Sequence, residues 1–379
     1  MKNNHARTKS SRRDQRPARQ ALLTAALALP GLGITAAHAA GNAPEESVIG
    51  FKVLHYQDYQ PSATRMKVVA PSIYVAKTFA GDWVVQGGYV LDSVSGASPR
   101  GHSSVSGASK IKDIRRAADL KITKYWNRAA LGVVVARSKE DDYRSNAIGT
   151  DLRLFSEDKN TTFTFGLGGS ADVIQSTEEA DKRGTKSTRE AMLGITQVLT
   201  PNDIVQSNIT YSRGKGYFDD PYKSPDSRPD YRNQLAWLSR WNHHFNGANA
   251  TLRTMFRYYQ DSYEVKGLTF GAEWEQALGG GWALTPGLRY YSQSAASFYY
   301  DPPIPPANAR YLSADQRLSS FGAITTGLKI AKEFQGGWVV DLKGEYYEQQ
   351  SDWKLTGKGS TGLQTFKAQM YQFGVAKRF

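Results

Sequence analysis

The chain has 379 residues, with 48 Lys and Arg against 35 Asp and Glu, and a formal net charge of +13. It has no cysteine, which excludes disulfides, thiolate zinc sites, iron–sulfur clusters and haem held through paired thiols. A mean hydropathy of −0.52, with no long apolar run beyond the N-terminus, excludes a helical membrane protein. Yet 21 Tyr, 15 Phe and 8 Trp are many for so polar a chain. A β-barrel accounts for both the polar mean hydropathy and the many aromatic residues, because half of the residues in each strand face a polar lumen and the other half face lipid.

The N-terminus has the organisation of a secretory signal peptide. A basic segment beginning at Lys2 is followed by an apolar, Ala- and Leu-rich stretch over 21–36 and by the small-x-small site Ala37-His38-Ala39. We therefore predict a cleaved signal peptide over 1–39 and one mature domain over 40–379. The signal carries seven Lys and Arg and one Asp, so the mature charge is 13 − 6 = +7. This charge is too small and too scattered to indicate nucleic-acid binding.

After the signal, runs with period-two apolar patterning are separated by two kinds of connection. Short ones, rich in Gly, Asn and Asp, are typical of hairpin turns; they lie at 80–82, 127–128, 157–160, 201–203, 245–248, 279–281 and 335–337. Mostly longer polar ones lie at 93–116, 138–143, 174–187, 214–231, 299–317 and 351–363. Their alternation is typical of short periplasmic turns and longer external loops.

The strand count depends on the two ends of the chain. A strand over 47–57 turns through Gln60-Pro61 into the next one, which brings the total to about sixteen, an even number as single-chain bacterial barrels require. The predicted fold is therefore an all-β, transmembrane, antiparallel up-and-down barrel with both termini on the periplasmic side.

The last strand carries a second prediction. Its apolar face ends in a terminal aromatic residue and is typical of the closing strand that the outer-membrane assembly machinery recognises. The residues that we expect to be recognised are Tyr371, Phe373, Val375 and Phe379. Outer-membrane lipid and lipopolysaccharide are the other expected partners.

Alternation along the strands also assigns the two faces. A charge facing lipid at mid-bilayer costs roughly 2–4 kcal/mol for Arg or Lys, so charged residues that alternate with apolar ones belong in the lumen. The predicted lumen charges are Asp151, Arg153, Arg253, Arg257, Glu273, Glu275, Arg289, Asp341, Lys343 and Glu345. Five tryptophans near the short turns predict an interfacial girdle at the periplasmic rim: Trp83, Trp126, Trp241, Trp282 and Trp338.

Few motifs suggest chemistry. The segment 92–99 contains Ser-Gly-Ala-Ser, nearly repeated over 105–109, and could form an anion-binding nest, although a flexible external loop is the simpler interpretation. Adjacent Asp219 and Asp220 could contribute to a Ca²⁺ site, but Ca²⁺ needs six or more oxygens, so solvated carboxylates in an Asp-Pro turn are preferred. The segment Asp301-Pro-Pro-Ile-Pro-Pro306 is stiff and could present a recognition arm, although shaping its loop is the simpler role.

Two histidine motifs could indicate a hydrolase. His102 precedes Ser103 in a loop with no orienting acid in view, and His243 and His244 are adjacent on a strand and must point to opposite faces. We therefore predict no catalytic, metal-binding or cofactor-binding residue and do not expect an enzyme.

The first third of the mature chain resembles a known family. The runs Gly50-Phe-Lys-Val-Leu-His-Tyr-Gln-Asp-Tyr-Gln60 and Arg65-Met-Lys-Val-Val-Ala-Pro-Ser72, with Trp83 and Asp92-Ser-Val-Ser-Gly-Ala-Ser-Pro99, are similar to the bacterial family known as domain of unknown function 3570. The resemblance extends over essentially the whole mature chain. It implies an outer-membrane barrel, often encoded beside flavin-transferase and redox-associated lipoprotein genes, and it supplies no catalytic residue.

Three functions fit these observations. The first is a passive, porin-like channel for small polar solutes in the outer membrane. The second is a scaffold barrel that docks or sheaths a periplasmic or lipoprotein redox partner without holding a cofactor itself. The third is a surface enzyme or adhesin built from the external loops. Mixed lumen charge suits a water-filled pore, and equally suits a plugged barrel braced by inward salt bridges.

Overall fold

The computed structural model describes residues 42–61, 63–96, 111–177, 182–223, 225–301 and 305–379. The predicted signal peptide, residues 97–99 of the Ser-Gly-Ala-Ser segment, its near copy over 105–109, His102, Ser103 and residues 302–304 lie outside these ranges. The strands are β1 (Val48–Gln60), β2 (Ala63–Phe79), β3 (Trp83–Gly96), β4 (Ile111–Trp126), β5 (Ala129–Lys139), β6 (Tyr143–Phe155), β7 (Thr161–Gln175), β8 (Arg183–Thr200), β9 (Asp203–Gly216), β10 (Asp226–Ser227), β11 (Tyr231–Phe245), β12 (Ala250–Asp261), β13 (Lys266–Gly279), β14 (Trp282–Gln293), β15 (Leu312–Ser313), β16 (Phe321–Glu333), β17 (Trp338–Gln350) and β18 (Phe366–Arg378). Two single-turn 3-10 helices, Gln316–Leu318 and Ser351–Trp353, lie in the connections, and no helix in the described ranges is long and apolar enough to cross a membrane.

Sixteen of these strands form one closed antiparallel barrel, which confirms the predicted fold. Each barrel strand pairs with the barrel strands that precede and follow it along the chain, and β1 closes the barrel against β18. β10 and β15 stand apart as a two-stranded sheet. The closure extends beyond the strands, because the backbones of Ser47 and Phe379 exchange hydrogen bonds of 2.8 and 3.0 Å. The predicted first strand over 47–57 is therefore present and pairs with the C-terminal strand.

The short turns all lie at one end of the barrel, which we call the periplasmic end; the other is the external end. Glycine is required at several of these turns. Gly337 has a φ of +79°, and a Cβ there would lie 2.5 Å from the carbonyl oxygen of Arg378. An L-residue with a side chain would be strained at this position and would also collide with the neighbouring backbone.

At the external end the strands are longer than the sequence predicted. Residues 93–96 and 111–116 form paired strand rather than loop, and β7 and β8 continue to Gln175 and Arg183. These segments contain charged residues that suggest solvated loops. In the structure the charges are inward and paired across strands: Arg115 with Asp92, and Lys186 with Asp172 at 3.3 Å. Cross-strand ion pairs therefore extend the sheet beyond its apolar part.

Three external connections are as short as the periplasmic turns: those between β1 and β2, between β5 and β6, and between β12 and β13. Residues 262–265 join β12 to β13, and this turn was not predicted because it contains neither Gly nor Pro. Its geometry comes from Asp261, whose carboxylate accepts the backbone N–H groups of Tyr263 and Val265, both at 3.0 Å. A local side-chain cap therefore replaces the expected turn residues.

The outward face forms an apolar belt. Residues directly opposite each other in antiparallel pairs share a face, so the exposed Ile49 and Phe51 of β1 fix the assignment around the whole barrel. All five predicted girdle tryptophans point outward near the short turns and are 39–49% exposed. Lys124, Lys332 and Lys377 lie over Trp83, Trp282 and Trp338 respectively, with the cations 4.9–5.4 Å from the ring centres. The girdle was correctly predicted.

Candidate functional site: the barrel interior

The inward face carries charges of both signs. The register places all ten predicted lumen charges on this face. Several form ion pairs along the wall: Arg253 with Glu275 at 2.8 Å, Lys343 with Glu345 at 3.1 Å, and Asp151 with both Lys121 and Arg153. The wall of the lumen is therefore polar and partly cross-linked by charge.

Inward carboxylates lie directly opposite inward glycines on neighbouring strands. Asp119 faces Gly88 and Asp151 faces Gly132 in the register. A Cβ built on either glycine would lie 2.6 Å from a carboxylate oxygen of its partner. The carboxylates therefore lie along the wall, over backbone that has no side chain, instead of extending toward the barrel axis. This arrangement widens the lumen at the level of the charges.

The middle of the lumen is accessible to solvent. The inward side chains Arg240, Arg289, Glu190 and Glu273 all belong to exposed residues. The two arginines in this group bind neutral acceptors. Arg240 donates to the Gln206 side chain at 3.3 Å, and Arg289 donates to the Thr325 hydroxyl at 3.1 Å. Water therefore reaches the inner wall at mid-height, where charges without an ion-pair partner among the described residues face the lumen.

The external end of the lumen differs, because its inward groups are buried. Asp58 is fully buried; it accepts hydrogen bonds from Tyr56 at 2.8 Å and from Arg65 at 3.1 Å. The guanidinium group of Arg65 also lies over the ring of Phe366. An apolar cluster adjoins this group on the same wall; its buried members are Tyr56, Met66, Val68, Ala70 and Ala368. Side chains therefore narrow the lumen toward its external end.

Two long external connections, 217–230 and 294–320, pack together above this end and form what we call the cap. Strands β10 and β15 pair across them, and an apolar cluster lies beneath, with Tyr263, Val265, Ala296 and Leu318 as its buried members. Six charged residues join the two connections, and we call them the cap cluster. They are Asp220, Lys223, Asp226, Arg228, Asp315 and Arg317.

Asp315 is the centre of the cap cluster. Its side chain is completely buried and lies 3.0 Å from both Lys223 Nζ and Arg228 Nη2, and Arg317 is a third partner. Burial on its own would raise the pKa of Asp315, but Arg317, Lys223 and Arg228 together hold that pKa well below its usual value. Burial lowers the pKa of Lys223, which Asp315 partly offsets. The cluster contains three acids and three bases, so charge is balanced inside the cap.

The cap is also tied to the other external connections. The hydroxyl of Tyr222 donates to Asp142 at 2.9 Å and accepts the backbone N–H of Thr177 at 3.1 Å. Asp301 accepts hydrogen bonds from the backbone and hydroxyl of Thr361. Five connections far apart in sequence, counting the two of the cap, are therefore linked into one cover.

The interpretation of Asp219 and Asp220 as solvated carboxylates was wrong. Asp220 is buried and paired with Arg317 at 3.0 Å, and Asp219 accepts the backbone N–H of Arg228 at 2.7 Å. Burial raises the pKa of Asp219 above its usual value. These acids bind groups within the cap because the partners, distant in sequence, are brought to them by the fold.

At the periplasmic end the N-terminal segment enters the barrel. Ala43 packs in a buried inward cluster with Val84, Tyr125, Ala130 and Phe155, on strands β3 to β6. The carbonyl oxygen of Pro44 accepts a hydrogen bond from the Thr78 hydroxyl at 2.5 Å. The first residues that the structure describes therefore line the periplasmic mouth, a feature that the sequence did not suggest.

The histidine pair is divided between the two faces, as strand alternation predicts. His243 is outward and lies 2.7 Å from Asp203, and His244 is inward and lies 3.1 Å from the Thr251 hydroxyl. Across the residues that the structure describes, no three His, Asp or Glu side chains are placed to hold a metal ion.

Comparisons with solved structures concern the fold alone. CdiB from Acinetobacter baumannii is 10% identical, with a TM-score of 0.51; the match covers 86% of this chain and 60% of CdiB, so the chain spans less than two thirds of that protein. The siderophore receptor PirA from Pseudomonas aeruginosa is 8% identical, with a TM-score of 0.45 and coverage of 87% and 80%. The P. putida toluene transporter TodX is 13% identical, with a TM-score of 0.41 and coverage of 89% and 91%.

Sequence comparison gives a family without an activity. No curated protein matches the chain. The family described as "Protein of unknown function (DUF3570)" matches residues 19–110, 102–183 and 175–373.

Proposed function

The chain belongs to the DUF3570 family, and on that premise we propose that it is an outer-membrane channel for small polar solutes. The observation that carries the proposal is the solvent-accessible middle of the lumen, where Arg240, Arg289, Glu190 and Glu273 are inward and exposed. A plugged barrel would bury these charges or pair them. Barrels of this strand number leave room for an aqueous path.

Under this proposal the cap limits the size and rate of what passes. It lies over the external end, where inward groups such as Asp58 and Asp92 are already buried. The inward carboxylates that lie over glycines keep the middle of the lumen wide. Transport therefore needs no chemical step, and selection takes place at the external constriction and through the field of the lumen charges.

Solute flux into proteoliposomes tests this directly. Purified, folded barrel is reconstituted, and swelling is followed with neutral solutes of increasing size, from amino acids to trisaccharides. We expect swelling with the smallest solutes and a steep decline with size, with no swelling for heat-unfolded protein. If folded barrel gives no swelling with any solute, the channel proposal fails. The docking scaffold then becomes the better account, and it predicts a lipoprotein partner that co-purifies from native membranes.

The outer-membrane location and its assembly signal are part of the same proposal. Tyr371, Phe373 and Phe379 point outward and are 46–61% exposed, so their rings are available to an assembly factor before they meet lipid. We expect Phe373→Ala with Phe379→Ala to lower the amount of heat-modifiable barrel in outer-membrane fractions. The matched control is Phe51→Ala with Phe163→Ala, two outward rings on other strands that are also exposed. An equal loss in both variants would contradict a signal specific to the last strand.

A further inference from the structure

Outward basic side chains are concentrated on one part of the external end. On strands β4 to β9, seven Arg and Lys residues point outward just above the apolar belt, and we call them the basic rim. They are Arg116, Arg137, Lys139, Arg144, Arg189, Arg213 and Lys215. All seven residues are exposed. Five of these six strands carry them, all except β7, and the six strands span about 24 Å of the circumference, given about 4.8 Å per strand.

The pairing of these strands places like charges directly opposite each other. Arg116 is opposite Lys139, and Lys139 is opposite Arg144 on its other side. Arg189 is opposite Arg213. Like charges in these positions are destabilising in a sheet. The arrangement therefore costs stability unless an anion lies between them.

No protein group supplies that anion in the part of the chain that the structure describes. None of the seven makes an ion pair there. The inward basic residues of the same strands behave differently, since Arg115, Lys121, Arg153 and Lys186 each pair with an aspartate. On these strands the four inward cations are therefore neutralised by carboxylates of the chain, whereas the seven outward cations of the basic rim are left for a ligand.

The position of the basic rim indicates the ligand. Below it on the same faces are Val135, Ile148, Leu193 and Ile209, which are 48–63% exposed. A bound molecule therefore meets several cations at the membrane surface and apolar surface directly beneath. Among the described residues, outward basic side chains are sparser on the opposite part of the external end. Lys67 and Lys266 point outward there singly, Tyr258 and Tyr290 are outward as well, and Lys367 is paired with Glu348 at 3.4 Å.

We propose that the basic rim binds the phosphate groups of a glycolipid of the external leaflet, namely the lipid A part of lipopolysaccharide. Arg forms bidentate bonds with phosphate, and a polybasic surface attracts anionic lipid. The acyl chains then lie against the apolar belt below. The inference is independent of transport, because it concerns the outer surface alone.

Binding of purified bisphosphorylated lipid A to detergent-solubilised barrel, followed by native mass spectrometry, tests the proposal. The rim variant is R137Q/K139Q/R189Q/R213Q. The matched control, K77Q/K332Q/K377Q, removes three outward lysines near the periplasmic end. We expect the affinity for lipid A to fall at least about tenfold in the rim variant and to stay unchanged in the control. Equal affinity in the rim variant and wild type would overturn the proposal.

Two further arms keep the test decisive. Lipid A without phosphates should bind weakly to wild type, and inorganic phosphate alone should not substitute for the glycolipid; the opposite result in either arm would contradict a phosphorylated lipid as the ligand. Thermal unfolding separates binding from folding. Without lipid, the rim variant should be at least as stable as wild type, because like charges are removed. Added lipid A should raise the unfolding temperature of wild type more than that of the variant.

Discussion

The external end and the middle of the lumen are made from the same residue types but differ in how charge is satisfied. At the external end, Asp58, Asp92 and Asp315 are buried and each is paired with one or more cations. In the middle, Arg240 and Arg289 are exposed, and their hydrogen-bond acceptors among the described residues are neutral. Buried charges need partners, whereas charges in water do not. The difference therefore separates a closed part of the interior from a water-filled one.

The largest expected effect on conductance comes from disrupting the cap cluster at Asp315. Asp315→Ala leaves Lys223, Arg228 and Arg317 without their shared carboxylate. Removing one partner of a buried ion pair costs about 3–5 kcal/mol, so we expect the cap to separate while the barrel stays closed. Single-channel conductance should rise and resistance of the cap to protease should fall. Asp141→Ala, at an exposed external acid, is the control and should change neither.

Acidification should destabilise the cap more gradually. The folded pKa of Asp315 lies well below the unfolded value, so its stabilising contribution is complete above about pH 4 and is lost as the pH falls through the folded pKa. Asp219 opposes this, because its raised pKa means that protonation favours the folded cap. We expect constant conductance from pH 7 to about 4 and an increase below, measured with acid on the external side. An increase already between pH 7 and 5 would show that another group controls the cap.

A smaller effect on conductance is expected from narrowing the water-filled middle of the lumen. Gly88→Leu places a side chain where the Asp119 carboxylate now lies, so both must extend toward the axis. Conductance should fall. The neighbouring outward glycine is the matched control: a Cβ on Gly87 meets only ordinary contacts, and Gly87→Leu adds its side chain to the outer surface, so conductance should stay unchanged. Equal conductance in the two variants would mean that lumen width at this level does not limit flux.

The smallest expected effect is on ion selectivity. Arg240→Gln with Arg289→Gln removes two exposed lumen cations whose acceptors are the neutral side chains of Gln206 and Thr325. The reversal potential in a salt gradient should shift toward cation preference, while conductance changes little. Lys332→Gln, outward at the periplasmic end, is the control for a general change in charge. A shift of the same size in the control would contradict selection inside the lumen.

The sequence predicted the barrel because period two and the turn residues are local signals. They gave the even strand number, the inward charges and the tryptophan girdle. They could not give the cap, because Arg228 and Asp315 are 87 positions apart and only the closed barrel brings them together. The same limitation made Asp92 and Arg115 look like loop residues. The position of Ala43 in the periplasmic mouth was also not predicted, because this short segment has no apolar alternation that would indicate its structure.

Single-channel recording tests the central claim most directly, that a water-filled lumen lies beneath a cap held by the cap cluster. Wild-type and Asp315→Ala barrels, both shown to be folded by heat-modifiable mobility, are inserted into planar bilayers under identical salt. We predict discrete conductance steps for wild type and larger steps for Asp315→Ala. Folded barrels that give no steps in either form would contradict the account.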